Sequence, residues 1–285
     1  MNQSQAEEVL EMFAEGEGLE SVNTSLALHL VDLARELGRD ALVERLLDHA
    51  GKVSLNPEDQ GWCQFELLKH QGATKDELIG LGVHSEREGL AGLAAGIFHH
   101  VSLMSLGSDE AGVFANRSMR LREEAEDLEG MIYGHALLAH IAKADGEFEK
   151  SLMHLQKRLD IIPESEKFER MEALADLAHS HATISELEQA QTLLIESLQI
   201  ASELQELSGI LVAKWGLADL YFKKCIELDY RFPEVFKNLG LLHFYHLKNL
   251  KESLVYFSRS LALDPNQKDA GKIQKLIGFY EKGKI

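Results

Sequence analysis

Proline is scarce in this sequence: Pro57, Pro163, Pro233 and Pro265 are the only four in 285 residues. Proline lacks an N–H and breaks helix interiors, so a long chain this poor in it permits many helices. Cysteine is scarcer still. Cys63 and Cys225 lie far apart, each inside an apolar helical pattern. That arrangement excludes a disulfide framework and a zinc-ligand spacing, and it predicts two buried thiols in a reducing cytoplasm. Residues 1–10 are polar and acidic, with no basic start and no apolar run, so no secretory signal is expected. No stretch approaches the roughly 18–20 apolar residues that cross a bilayer. Strand signals are missing too: there is no sustained apolar/polar alternation and no Asn-Gly or Asp-Gly hairpin turn between β-branched runs.

Catalytic motifs are equally absent. The chain has no Gly-x-x-x-x-Gly-Lys-Ser/Thr loop, no Gly-x-Gly-x-x-Gly after a strand, no Gly-x-Ser-x-Gly and no His-Glu-x-x-His. Its 47 carboxylates read as a solvated surface, since none is paired by spacing with a nucleophile and base. The expectation is a protein that is not an enzyme and takes no cofactor and no metal.

What is present is apolar mass and acid. Apolar residues make up 45% of the chain, enough for a sizeable core. The formal net charge is −18, unevenly placed: residues 222–285 carry 12 Lys and Arg against 7 Asp and Glu, while residues 1–221 stand at −23. Such a field repels nucleic-acid phosphates and anionic membrane and favours a partner of basic character; it also serves plain solubility.

Helical spacing recurs throughout. Leu137, Leu138, Ile141 and Ala142 form one stripe, and Leu152, Leu155, Leu159 and Ile162 the next, across the short turn Asp145-Gly146-Glu147. Helices joined so briefly are expected to lie antiparallel. Leu174, Leu177, Ala178 and His181 repeat the first helix, and Leu187, Ala190, Leu194, Ser197 and Leu198 repeat the second, across a polar turn near Ser185. The clearest version is Leu239-Gly240 followed by Ser253, Phe257, Ser260 and Pro265.

These last residues resemble the tetratricopeptide signature, a repeat of about 34 residues. Gly240, Ser253 and Ser260 would let two helices approach, Phe257 would fill the space between repeats, and Pro265 would end the second helix. This repeat has one extra residue in its turn and His243 where the family usually has an aromatic. The small-residue slot of the first helix can be followed along the chain at Val31, Phe65, His99, Ala139, Ala178, Ala218 and Gly240, with Gly38 and Gly72 in the expected inter-helix turns. The resemblance implies an all-α solenoid of helical hairpins, a right-handed superhelix of about 13–15 helices. Residues 1–285 read as a single array. Within it, 1–130 match weakly and 131–207 hold two repeats of about 40 residues, whose second helices would extend by about a turn, as in 189–207. An irregular repeat and a typical one occupy 208–265, and 266–285 form a capping helix with a lysine face at Lys272, Lys275 and Lys282. In the irregular segment one inter-helix turn is missing, so 208–228 is expected as one unusually long helix with a change of superhelix direction, or as a lone unpaired helix.

In the family the first helices line the concave groove, and the position after the small slot points into it. Here that position holds Asp32, Glu66, His100, His140, His179, Asp219 and Leu241. Three consecutive histidines form a ladder that could be a hydrogen-bonding row, a pH-responsive row, or a chance alignment among 13 histidines. A shared metal is disfavoured, because neighbouring first helices are about 8–10 Å apart. Trp62 and Trp215 precede the slot by three residues and would be groove anchors or inter-helix packing. The groove candidates are therefore His100, His140, His179, Asp219, Lys143, Trp215 and Trp62. The Lys, Asn and Arg set that grips chaperone C-termini is absent from the comparable positions, Asp32, Glu66, Ala136, His140, Ala175 and His179. The resemblance implies a cytoplasmic scaffold or adaptor holding a protein or peptide segment in its groove. Alternatives are a peptide-responsive signalling sensor, or a homo-oligomer in which the basic end docks on the acidic part of another copy.

Overall fold

The computed structural model describes residues 11–13 and 18–281. Lys282 of the expected lysine face lies outside them. Among the described residues the chain is all-helical, with no strand. It divides into two compact units, residues 1–145 and 146–285.

After a 3-10 turn at Leu19–Ser21, the first unit contains α1 (Thr24–Glu36), α2 (Asp40–Val53), α3 (Pro57–His70), α4 (Lys75–Arg87), α5 (Ala91–Met104), α6 (Glu110–Glu124) and α7 (Leu128–Ala144). The second contains α8 (Phe148–Ile161), α9 (Lys167–Thr183), α10 (Leu187–Leu204), α11 (Leu207–Leu228), α12 (Pro233–Tyr245), α13 (Leu250–Leu263) and α14 (Ala270–Glu281). Within each unit every helix packs on the next, and first helices also touch across repeats: α1 on α3, α3 on α5, α5 on α7, and α9 on α11. This is the helical-hairpin repeat arrangement the apolar spacing predicts. Short connections force it, since two to six linking residues leave a helix nowhere to go but back along its predecessor.

Sequence punctuation explains the boundaries. Pro57 and Pro233 begin α3 and α12, where a missing N–H costs nothing, and Pro163 and Pro265 follow the ends of α8 and α13. Gly38 and Gly72 take left-handed backbone (φ 66° and 72°) in the turns after α1 and α3. Thr74 and Glu77 form a reciprocal capping box at the start of α4. The uninterrupted helix expected over 208–228 is present as α11, at 22 residues.

The second hairpin of the signature folds as its letters require. Phe257 is fully buried, and a Cβ added at Gly240 would sit 2.5 Å from its ring. Ser253 and Ser260 are small enough to be buried, and they also donate to the carbonyls of Gly240 (3.0 Å) and Pro233 (2.8 Å). The same bond recurs from Ser197 to Met171 O (2.9 Å) and from Ser118 to Ala95 O (2.7 Å).

Those bonds set the third repeat apart from the other two. Pro233 and Met171 each precede their small slot, Gly240 and Ala178, by seven residues. The bond from Ser118 spans 23 residues against 26 and 27 in the other two, so counted from the carbonyl the slot of α5 falls at Ser102, which is fully buried, and counted from the serine it falls at His99. Three expectations change. The extra length of the middle repeats lies in one second helix only (α10); the rest lies in the longer first helices α7 and α9, 17 residues each, and in the turn between α5 and α6. The run expected as helix over 189–207 stops at Leu204, because Gln205 turns left-handed (φ 57°). Finally, Cys63 is buried but Cys225 is exposed, on the outer half of α11.

Candidate functional site

In the first unit, α1 and α3 face each other across a cleft of about 370 Å³ lined by Ser25, Leu28, His29, Asp32, Asp59, Trp62 and Glu66. The spacing explains the lining. Residues 25, 28, 29 and 32 form one stripe of α1, and 59, 62 and 66 form one stripe of α3. Beneath the cleft an ion network sets the separation of the two helices. Arg35 of α1 donates to the buried carboxylate of Glu66 (2.5 Å) and to its backbone carbonyl (3.0 Å), and Lys69 donates to the other carboxylate oxygen (2.8 Å). Glu66 is thus a structural anion whose lone pairs are already engaged.

The second unit has a cleft of the same kind, about 270 Å³, between α9 and α11. Met171, Glu172, Ala175 and Asp176 line one side and Ser208, Gly209 and Val212 the other. The buried Arg158 of α8 reaches Asp176 at 2.6 Å. Burial pushes the Glu172 carboxyl up; Arg158 opposes this, while Asp176 and Glu169 add to it.

A larger cleft of about 600 Å³ lies between α2 and α3, over Leu47 and Cys63. On its rim Lys52 pairs with Asp48 at 2.6 Å, and His70 Nε2 lies 3.8 Å from the Glu44 carboxylate.

The structure separates the groove candidates. Trp62 lines the α1–α3 cleft and also packs against α5, where a Cβ on Gly96 would meet its ring at 2.4 Å. His140 and His179 are exposed on α7 and α9. Lys143 is half-buried at the end of α7. Trp215 is half-buried and stacks on His246, ring centres 4.7 Å apart. His100 departs from the expected ladder. It is half-buried and sets its ring edge against Phe65 (5.6 Å, 77°), whereas His140 and His179 are exposed. Burial, with Lys69 nearby, lowers the His100 pKa. Asp219 departs further. It is buried, accepts from His243 Nε2 (2.9 Å) and pairs with Lys223 (2.9 Å), so it joins α11 to α12 and lines neither first-helix cleft. Burial alone would raise its carboxyl; the His243 bond and Lys223 hold it below the ordinary value.

Arg35, Lys69, Ser25, Leu28, His29 and Asp59 escaped the sequence reading. The signal for the last four was their shared stripe with Asp32 or Trp62; for Arg35 and Lys69 only the fold supplies the partner. Among the described residues no group of three His, Cys, Asp or Glu side chains is placed to hold a metal ion, and no helix is long and apolar enough to cross a membrane.

No family model matches the sequence. No curated protein matches it either. Among solved structures, the chain is similar to BtubC (BKLC) from P. vanneervenii at 16% identity, over 81% of this chain and 86% of that one, with a TM-score of 0.37.

Proposed function

We propose that the protein is a tetratricopeptide-like scaffold of the cytoplasm that holds segments of a partner protein, and that it performs no reaction. The observation carrying this reading is that each unit opens a cleft between consecutive first helices, α1 with α3 and α9 with α11, lined by acidic, hydroxyl and apolar side chains. A repeat that presents the same stripe on successive helices builds such clefts automatically, and rigid helices lose little ordering entropy when a segment lies down in them. The exposed His140 and His179 occupy equivalent turns of α7 and α9 and extend the same surface within their own units. The balance of −23 over residues 1–221 supports a partner of basic character. Two unpaired thiols are in keeping with a reducing compartment.

The test is capture of partners from lysate of the source cells on immobilised protein. Wild type is compared with a Leu28→Glu chain and with a His140→Glu, His179→Glu chain, all of equal helicity. His140 and His179 are exposed, and Leu28 is half-buried at the edge of the core, which is why equal helicity is required of each variant. The reading predicts a discrete protein that is lost from at least one variant and retained by a Gln156→Glu control on α8. An unchanged bound set from all variants contradicts it.

A further inference from the structure

Resting on that reading, we infer that the α1–α3 cleft is an arginine-recognition site, which takes an arginine side chain from a basic segment of the partner. The lining offers acceptors and an aromatic face and contains no Lys or Arg. Asp32 is 70% exposed and is bonded only to Arg35, on its own helix. Asp59 accepts from Asn56 Nδ2 (3.0 Å) and forms no ion pair among the described residues. His29 Nδ1 lies 2.7 Å from the Ser25 carbonyl. A carbonyl can only accept, so Nδ1 carries the proton and Nε2 is the one ring nitrogen able to accept. The Ser25 hydroxyl adds another.

Trp62 supplies the platform. Its ring is held from behind by the bare backbone at Gly96 and tilts against Phe65 at 6.0 Å. It therefore presents a fixed aromatic surface to the cleft, with Leu28 opposite. A planar cation with several donors fits this chemistry. Guanidinium stacks on indole, donates in a fork to carboxylates, and is more weakly hydrated than ammonium. The α2–α3 cleft lacks the match, because its own Lys52 and His70 already face its acids.

The measurement is a titration at physiological salt with capped hexa-arginine and capped hexalysine. Binding is followed calorimetrically, and by Trp62 fluorescence in a Trp215→Phe background. Hexa-arginine is expected to bind more tightly than hexalysine. Trp62→Leu, which keeps apolar packing but removes the ring, and Asp32→Asn with Asp59→Asn, should each weaken hexa-arginine by about tenfold. Glu44→Gln with Asp48→Asn, which removes the same charge from the neighbouring cleft, should leave it unchanged. Equal loss in the two double variants, or no preference for arginine together with no effect of Trp62→Leu, overturns the inference in favour of a diffuse acidic field. Absence of hexa-arginine binding while Leu28→Glu still loses a captured partner overturns the arginine assignment and leaves the scaffold reading standing. Arginine binding with partner capture unchanged in every variant overturns the scaffold reading itself.

Discussion

His243 Nε2 donates to the Asp219 carboxylate at 2.9 Å, and both side chains are almost wholly buried between α11 and α12. On its other side, His243 Nδ1 faces Glu252 at 3.2 Å, out of hydrogen-bond alignment. The pair fixes the packing of the long helix α11 on the hairpin that follows. Asp219→Ala should leave a buried imidazole N–H without its acceptor and lower stability by about 1–3 kcal/mol. Because the folded-state pKa of Asp219 is depressed, its contribution is present above the unfolded value near 3.9 and fades as pH falls below it. Urea titrations of wild type and Asp219→Ala should therefore differ at pH 7 and converge toward pH 3. Partner capture by the folded variant should be unchanged, since Asp219 lines neither first-helix cleft.

Gly240 and Phe257 make a second close pair. A methyl at 240 would overlap the ring at 2.5 Å, and both helices are fixed there by the Ser253 and Ser260 bonds. Gly240→Ala should cost about 1–3 kcal/mol by overpacking, against the usual gain of alanine in a helix. Thermal melting checks the sign: a higher melting temperature would mean that α12 and α13 do not meet this closely.

His99 carries a pH-dependent liability. Burial first, then Arg122 and His100, lowers its pKa to about 4, and its Nδ1 has no hydrogen-bond partner. The unfolded chain binds this proton near pH 6.5 and the folded one does not, so stability falls as pH drops from about 6.5 toward 4. The loss is on the order of 2 kcal/mol at the acid end. His99→Gln should flatten the decline of melting temperature between pH 7 and pH 4.5 relative to wild type. Parallel declines would place His99 in water.

Ser185 and Gln205 hold left-handed backbone (φ 67° and 57°) in the turns flanking α10. Ser185 stands where Gly38, Gly72 and Gly146 take this conformation after α1, α3 and α7, and both Ser185 and Gln205 bear a Cβ penalty there. Ser185→Gly and Gln205→Gly should each stabilise by about 0.5–1 kcal/mol, read as an increased urea midpoint at constant slope. A lower midpoint would mean that the turns are not left-handed.

The helices were legible because their signals are local: apolar stripes, Pro57 and Pro233 at helix starts, Gly38 and Gly72 in the turns, and the missing turn that makes α11 long. Gly240 with Phe257 was legible because a signature encodes that contact in its spacing. The third repeat was not. His99 and Ser102 both fit an amphipathic stripe, and the shorter span of the bond from Ser118 to Ala95 O, seen only in the fold, marks this repeat as built differently from its neighbours. Asp219 misled for the same reason, since its partner is 24 residues away and a buried aspartate and an exposed one have the same letter. Of the groove, Asp32, Glu66 and Trp62 were visible from register, whereas the neutralisation of Glu66 by Arg35 and Lys69 needed the fold.

The most direct test of the central claim is position-specific photo-crosslinking. A benzophenone side chain is placed at Leu28 in the α1–α3 cleft or at Val212 in the α9–α11 cleft, with Lys52 and Gln156 on the second helices as controls, and the protein is irradiated in its source cells. The account predicts a discrete protein adduct from a cleft position that is absent from both controls. Adducts of the same protein from Lys52 or Gln156 alone would place the partner on the opposite helices and contradict it.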